Sequence, residues 1–228
     1  MEEKKHIVIS LGGSLIVPDA IDTAFLNVFV STIKEYTGKG YRFVIITGGG
    51  KVAREYIEAE NTMTTPTSDD LDWIGIASTR LNAELLRVAF GELAYNKIIM
   101  DPDMVPETNC PVLVGGGWKP GNSSDLAAIH SAISVGAEKV INLSNIDYAY
   151  DKDPNKFPDA VKIEKSSWAD FRAILPKEWG PGLSAPFDPI AAKRADEAGL
   201  EVAIMNGKNI ENLKNYLEGK EFLGTVIK

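Results

Sequence analysis

Cys110 is the only cysteine among 228 residues, so no intrachain disulfide can form and the usage suits a reducing compartment. No stretch approaches the roughly 18 consecutive apolar residues of a membrane span. The apolar run in the opening segment MEEKKHIVISLGG is too short for a secretory signal, and the expectation is a cytoplasmic protein with no membrane partner. Surplus positive charge is missing as well. The formal net charge is -8, and no Lys/Arg run alternates with aromatics, which excludes a nucleic-acid partner. A nucleotide substrate would have to be bound against this global sign by local means: glycine-loop amides, a few cations and Mg²⁺. The strings Gly-x-x-x-x-Gly-Lys-Ser/Thr and Gly-x-Gly-x-x-Gly are both absent, which argues against the common nucleotide folds.

Apolar residues make up 44% and charged residues 25% of the chain, the balance of a soluble globular protein. The length suits one three-layer α/β domain, or two lobes sharing a continuous sheet. Short β-branched runs at 6–9 and 43–46 flank a stretch, 21–36, with apolar residues at helical spacing; that is a βαβ unit. Continuous apolar strands suit a parallel sheet covered on both faces, giving an αβα sandwich. The pattern predicts further helices over 51–60, 71–90, 124–135, 189–198 and 210–217. Further strands are expected over 97–100, 111–114, 139–143, 202–205 and 225–227. Segment 144–162, rich in Asp, Pro and Asn, reads as a long loop with room for a hairpin, and 176–189 as a Pro/Gly-rich excursion. Loops of this length in a compact domain are usually functional. A soft boundary near residue 114 divides the chain into 1–114 and 115–228 as one continuous unit.

Three glycine clusters each follow an expected strand: Gly12-Gly13-Ser14, Gly48-Gly49-Gly50-Lys51 and Gly115-Gly116-Gly117. Glycine permits close approach of backbone to ligand, and the first amides of a following helix favour an anion. Any one cluster is equally a tight turn. Three together, at the carboxyl ends of parallel strands, converge on one crevice and can cradle several phosphates in a row.

The string Ile9-Ser10-Leu11-Gly12-Gly13-Ser14 resembles the opening strand and loop of the amino acid kinase family, and Thr47-Gly48-Gly49-Gly50-Lys51-Val52-Ala53-Arg54 resembles its second loop. The segment from Gly116 to Ala128 is similar to the Gly-Gly-x-x-Pro-Gly-x-Thr-Thr-Asp-x-x-Ala pattern of the uridylate kinases of that family. Ser144-Asn145-Ile146-Asp147-Tyr148-Ala149-Tyr150-Asp151-Lys152-Asp153-Pro154 is similar to Thr-Asn-Val-Asp-Gly-Val-Tyr-x-x-Asp-Pro, and Phe187-Asp188-Pro189-Ile190-Ala191-Ala192-Lys193 is a fifth match. The resemblance runs in order along nearly the whole chain and is closest to the archaeal-type enzymes.

The resemblance implies an αβα sandwich whose residues 1–114 bind the phosphoryl acceptor, UMP, and whose residues 115–228 bind ATP with Mg²⁺. It implies a homo-oligomer, usually a hexamer, and no protein metal ligand. Gly13, Ser14, Gly50 and Arg54 would face the ATP phosphates, Gly49 the UMP phosphate, and Asp72 the ribose hydroxyls. Trp118, Lys119, Pro120, Gly121, Asn122, Ser123 and Ser124 would wrap the acceptor. Asp125 would orient cations and phosphates at the reacting centre, while Ser144, Asn145, Tyr150 and Asp153 would hold adenosine. Asp188 and Lys193 would flank the site. Each residue also has a plainer reading: Arg54 as a solvated helix charge, Asp72 as an acidic helix start, Asp125 as a cap, and the Asn-x-Asp and Asp-x-Asp-Pro strings as ordinary turns.

Two positions depart from the family pattern. Ser10 stands where many members carry a lysine serving the transferred group, a task left to Lys51 or Lys119, and Tyr148 replaces the usual glycine after Asp147. Two alternatives accompany the kinase of UMP: another small-molecule kinase of the family, and a nucleotide- or oxoanion-storing protein without turnover. The isopentenyl phosphate kinases carry a His after the second glycine loop, and here the only histidines are His6 and His130.

Overall fold

The computed structural model describes residues 6–154, 156–176 and 185–228. Residues 177–184 of the expected 176–189 excursion, and the charged opening residues 1–5, lie outside them. Strand β1 (His6–Leu11) leads through the single turn α1 (Gly13–Ile16) to α2 (Thr23–Gly38), β2 (Arg42–Thr47), α3 (Gly50–Met63) and α4 (Ser68–Phe90). Then follow β3 (Val112–Gly115), α5 (Ser124–Val135) and β4 (Lys139–Ser144), and a short antiparallel pair of β5 (Ala149–Tyr150) with β6 (Lys162–Ile163). The chain closes with β7 (Lys165–Ser166), α6 (Trp168–Ile174), α7 (Pro189–Glu197), β8 (Glu201–Asn206), α8 (Ile210–Leu217) and β9 (Thr225–Ile227).

Side-chain caps fix where the helices begin. Asp22 accepts from the Phe25 amide at 2.9 Å, and Thr67 and Asp70 form a reciprocal capping box that starts α4; such caps typically stabilise by about 1 kcal/mol. At the far end of α5, Gly136 takes the left-handed conformation (φ 66°) that an L side chain resists.

Among the described residues the main sheet has seven strands in the order β3-β2-β1-β4-β8-β9-β7. The first five run parallel, and β9 lies antiparallel to β8. Alternation along the strands assigns the two faces. Ile7, Ile9 and Leu11 of β1 join Phe43, Ile45, Ile141, Leu143 and Met205 in a core beneath α2, α4 and α8. Val8, Val44, Val140, Val202 and Ile204 form a second core beneath α5, α6 and α7. The result is the αβα sandwich with a mainly parallel sheet, continuous across residue 114.

The structure departs from the sequence reading in two places. Segment 97–100 is no strand: its Ile99 makes a single bridge to Gly115. Between 164 and 175, where no element was expected, β7 and α6 form, and α6 buries Trp168 and Phe171. Seven residues are too few to display helical periodicity, so packing of the two aromatics is what holds this helix.

Candidate active site

The sheet order reverses at β1, whose neighbours are β2 on one side and β4 on the other, and ligands in open α/β sheets bind outside the carboxyl ends at such a point. The loops after β1, β2, β3, β4 and β8 all leave the sheet at that end. The first two are in backbone contact. A Cβ on Gly13 would lie 2.0 Å from the Gly50 nitrogen, and one on Gly48 would lie 2.5 Å from the Gly13 nitrogen. Gly50, at φ +67°, has the Gly13 carbonyl 2.4 Å from the position its own Cβ would take. No side chain fits at any of these places, so the two turns form one surface of bare backbone. Helix α3 begins there at Gly49 with no side-chain cap; the Lys51 amide donates to the Val17 carbonyl at 2.9 Å, and the positive end of the helix dipole lies at the crevice.

The third glycine loop is held from below by α4. Thr79 accepts from the Gly117 amide at 2.6 Å, and Arg80 donates to the carbonyls of Gly117 and Trp118 at 3.2 and 3.0 Å. Asp72 accepts from the Gly121 amide at 2.7 Å. A Cβ on Gly116 would sit 2.9 Å from the Arg80 nitrogen, so this glycine serves helix-to-loop packing. Further along the same helix, Asn82 donates to the carbonyls of Gly48 and Gly49 at 2.8 and 3.2 Å. Thus α4 grips both the second and the third loops. Thr79, Arg80 and Asn82 escaped the sequence reading because polar residues on a helix look like a solvated face.

On the other face of the sheet two helix starts converge on a polar pair. Ser10 and Asn142 are register partners on β1 and β4. The Oδ1 of Asp125, in the first turn of α5, accepts from Ser10 Oγ at 2.8 Å and Asn142 Nδ2 at 2.7 Å. Asp188 caps α7, its Oδ1 accepting from the Ile190 and Ala191 amides at 2.6 and 3.1 Å. Crowding by protein raises the pKa of Asp125 to about 6; the hydrogen bond from Ser10 lowers it, and the neighbouring Asp188 charge raises it further. Asp125 keeps part of its surface open, so the shift reflects dense packing around the carboxyl rather than complete enclosure. Asp188 Oδ2 and Asn142 Oδ1 are buried and have no hydrogen-bond partner among the described residues. Asn142 also escaped the sequence reading, although a lone polar residue inside the run Val140-Ile141-Asn142-Leu143 was its visible mark.

The remaining expected residues are distributed as follows. Lys51 pairs with Asp19 at 3.2 Å and Glu55 at 3.7 Å, and the bond to Asp19 raises its pKa. Arg54 is exposed on α3 and has no ion pair with a described residue. Lys119 lies with its Nζ 3.7 Å from the Trp118 ring centroid, and that ring sits 5.2 Å from His130. Pro120 accepts from the Asn122 side chain at 3.0 Å, and Ser123 caps α5. Ser124 opens that helix, and Ser14 lies half-buried in α1. Ser144 and Asn145 follow β4, where Ser144 accepts from the Gly207 amide at 2.8 Å through its carbonyl. Tyr150 is in β5, Asp153 pairs with Lys156 at 3.6 Å, and Lys193 pairs with Glu197 at 3.9 Å on α7.

Residues 5–206 match the amino acid kinase family. The chain is 32% identical to the uridylate kinase of Methanospirillum hungatei over 225 residues, covering 97% of this chain and 94% of that one. With the uridylate kinase of Thermococcus onnurineus it shares 33% identity over 227 residues, covering 97% and 99%. The crystal structure of uridylate kinase from Archaeoglobus fulgidus superposes with a TM-score of 0.84 at 31% identity, covering 97% and 99%. With glycine turns fused into one backbone surface and a similarity that spans its length, this chain belongs to the amino acid kinase family.

Proposed function

We propose that the protein is a uridylate kinase, which moves the γ-phosphoryl group of ATP to UMP and yields UDP for pyrimidine nucleotide synthesis. The observation that carries this is the meeting of the glycine turns with Asp125 and the gripped third loop at one end of a parallel sheet. Identity above 30% to uridylate kinases over almost the full length supports UMP as the acceptor.

Transfer in line between two phosphates asks for positioning and charge stabilisation more than covalent chemistry. The Gly12-Gly13 and Gly48-Gly50 backbone receives the phosphates, with Gly13, Ser14, Gly50 and Arg54 toward ATP and Gly49 toward UMP. The loop from Trp118 to Ser124 encloses the acceptor, and Asp72 meets its ribose. Because Asp72 and Arg80 already hold this loop, little ordering is left for the moment of binding, which favours affinity. Ser144, Asn145, Tyr150 and Asp153 line the adenosine end. Residues 1–114 and 115–228 then form acceptor and donor lobes of one sheet.

Mg²⁺ accompanies ATP in this reading, and its fit can be judged from the donor set. Asp125 and Asp188 offer hard carboxylate oxygens, the kind Mg²⁺ takes in ones or twos alongside phosphates. The buried Oδ2 of Asp188, without a partner among the described residues, is consistent with such a role. The ion would neutralise charge on the transferred group when bound. Asp125, held by Ser10 and Asn142, keeps its carboxylate aimed and ionised at neutral pH. A cation from Lys51 would require release from Asp19 and Glu55; Lys119 needs only to leave the Trp118 ring.

Self-association is part of the proposal. Helix α4 exposes Trp73, Leu81 and Val88 at 50, 62 and 65%, a stripe at helical spacing that a second copy would cover.

The test is a coupled ADP-release assay with UMP, CMP, acetylglutamate, glutamate, carbamate and isopentenyl phosphate in turn. UMP is expected to give the highest kcat/KM. Preference for any non-nucleotide acceptor, or ATP binding with no turnover on any of them, would remove this reading.

A further inference from the structure

The cluster at the starts of α5 and α7 holds more negative charge than its surroundings balance. Asp125 and Asp188 contribute two carboxylates. Two helix N-termini face them, each equivalent to about half a positive charge, which offsets roughly one of the two. Ser10 and Asn142 supply neutral donors, both to the same oxygen, Asp125 Oδ1, and the Asp188 backbone amide adds a further neutral hydrogen bond to that carboxylate. No Lys or Arg among the described residues makes an ion pair with either carboxylate. Two oxygens also remain buried without a donor among the described residues, Asp188 Oδ2 and Asn142 Oδ1, on residues that are each 6% exposed. A buried acceptor left unmet costs about 1 to 3 kcal/mol, and two at one place call for a partner bearing positive charge.

We infer that Ser10, Asp125, Asn142 and Asp188 form a hard-cation site that the protein loads by itself, before nucleotide arrives, with a divalent ion of the Mg²⁺ class. The donors are carboxylate and amide oxygens with a hydroxyl behind them, the set that Mg²⁺ and Mn²⁺ prefer over softer metals. Asp188 and Asn142 would ligate through their partnerless oxygens. Asp125 completes the charge, and Ser10 is a positioning residue that holds Asp125 in place. A side-chain ammonium at position 10 would satisfy the same oxygens, so a bound ion and a lysine there are alternative answers to one electrostatic demand.

The inference goes beyond the phosphotransfer reading, in which the ion need only travel with ATP, and its test contains no nucleotide, so either can fail alone. Mn²⁺ is titrated into the nucleotide-free, EDTA-stripped protein and followed by the electron paramagnetic resonance of the free ion. One saturable site displaced by Mg²⁺ is expected. Asp188→Asn keeps a good helix cap and should lose that site, as should Asp125→Asn. Ser10→Ala should weaken it by about tenfold, as removal of an outer partner of a metal ligand does. Ser10→Lys should abolish Mn²⁺ binding with the fold intact by circular dichroism, while Asp72→Asn should leave it unchanged. Absence of a saturable site in the wild-type protein overturns the inference. So does a site indifferent to the Asp125, Asp188 and Ser10 substitutions, which would mark an ion bound elsewhere.

Discussion

The two faces of one sheet are built to different ends. Beneath α2, α4 and α8, successive inward positions of β1 are Ile7, Ile9 and Leu11, all in the apolar core. On the opposite face β1 contributes Val8 and then Ser10, and β4 contributes Val140 and then Asn142. The second face thus begins as apolar as the first and turns polar where the strands end. An apolar pair at positions 10 and 142 would satisfy packing equally and would spare the cost of a buried, partnerless amide oxygen. Polarity retained against that cost marks residues kept for chemistry rather than for stability.

The difference is broken most sharply at Asp125. A carboxyl whose folded pKa is raised from 3.8 to about 6 makes the folded state bind more protons than the unfolded one between those values. Its ionisation therefore costs stability above pH 6, roughly 3 kcal/mol, and nothing below about pH 4. Asp125→Asn should melt higher than wild type at pH 7 in EDTA, with the gap closing as the pH falls toward 4. Turnover with ATP and UMP should fall by a factor on the order of 100 to 1000, the usual loss for one preorganised group. A variant that is both stable and near wild-type in rate would take Asp125 out of the mechanism.

Paired truncations sharpen the contrast. Leu143→Ala on the apolar face should cost about 2 to 5 kcal/mol in urea unfolding. Ser10→Ala on the polar face removes one hydrogen bond, worth about 1 kcal/mol, and should reduce kcat more than the leucine truncation does at saturating substrate. Equal stability losses, or rates that follow stability alone, would erase the distinction between the faces.

The gripped third loop gives the smallest effect. Arg80→Ala loses two bonds to loop carbonyls and should raise KM for UMP by about tenfold, with kcat and the KM for ATP little changed, the pattern of lost uniform binding. Arg80→Lys cannot reproduce the planar fork and should recover only part of it.

Much of this was legible in the sequence because it rests on local rules. The expected helix over 210–217 and strand over 225–227 match α8 and β9 residue for residue, since caps and periodicity mark them. The glycine clusters were visible, although their mutual contact was not: the clash awaiting a Cβ on Gly13 comes from Gly48, Gly49 and Gly50, and only the sheet order brings them together. Segment 97–100 has strand composition, but tertiary pairing stops at Ile99. The absence of a lysine at position 10 could be read directly. That Ser10 instead reaches Asp125 across 115 residues of chain is a long-range fact with no local signature. Arg80 and Asn82 escaped for the same reason.

The proposed transfer requires two nucleotides lying end to end, their phosphates meeting over Gly13, Gly49 and Gly50. An adenosine and a uridine joined through a single polyphosphate chain test this directly by calorimetry and competition. Such a compound should bind more tightly than ATP or UMP alone and compete with both. Competition with ATP only, with affinity no better than that of ATP, would contradict it.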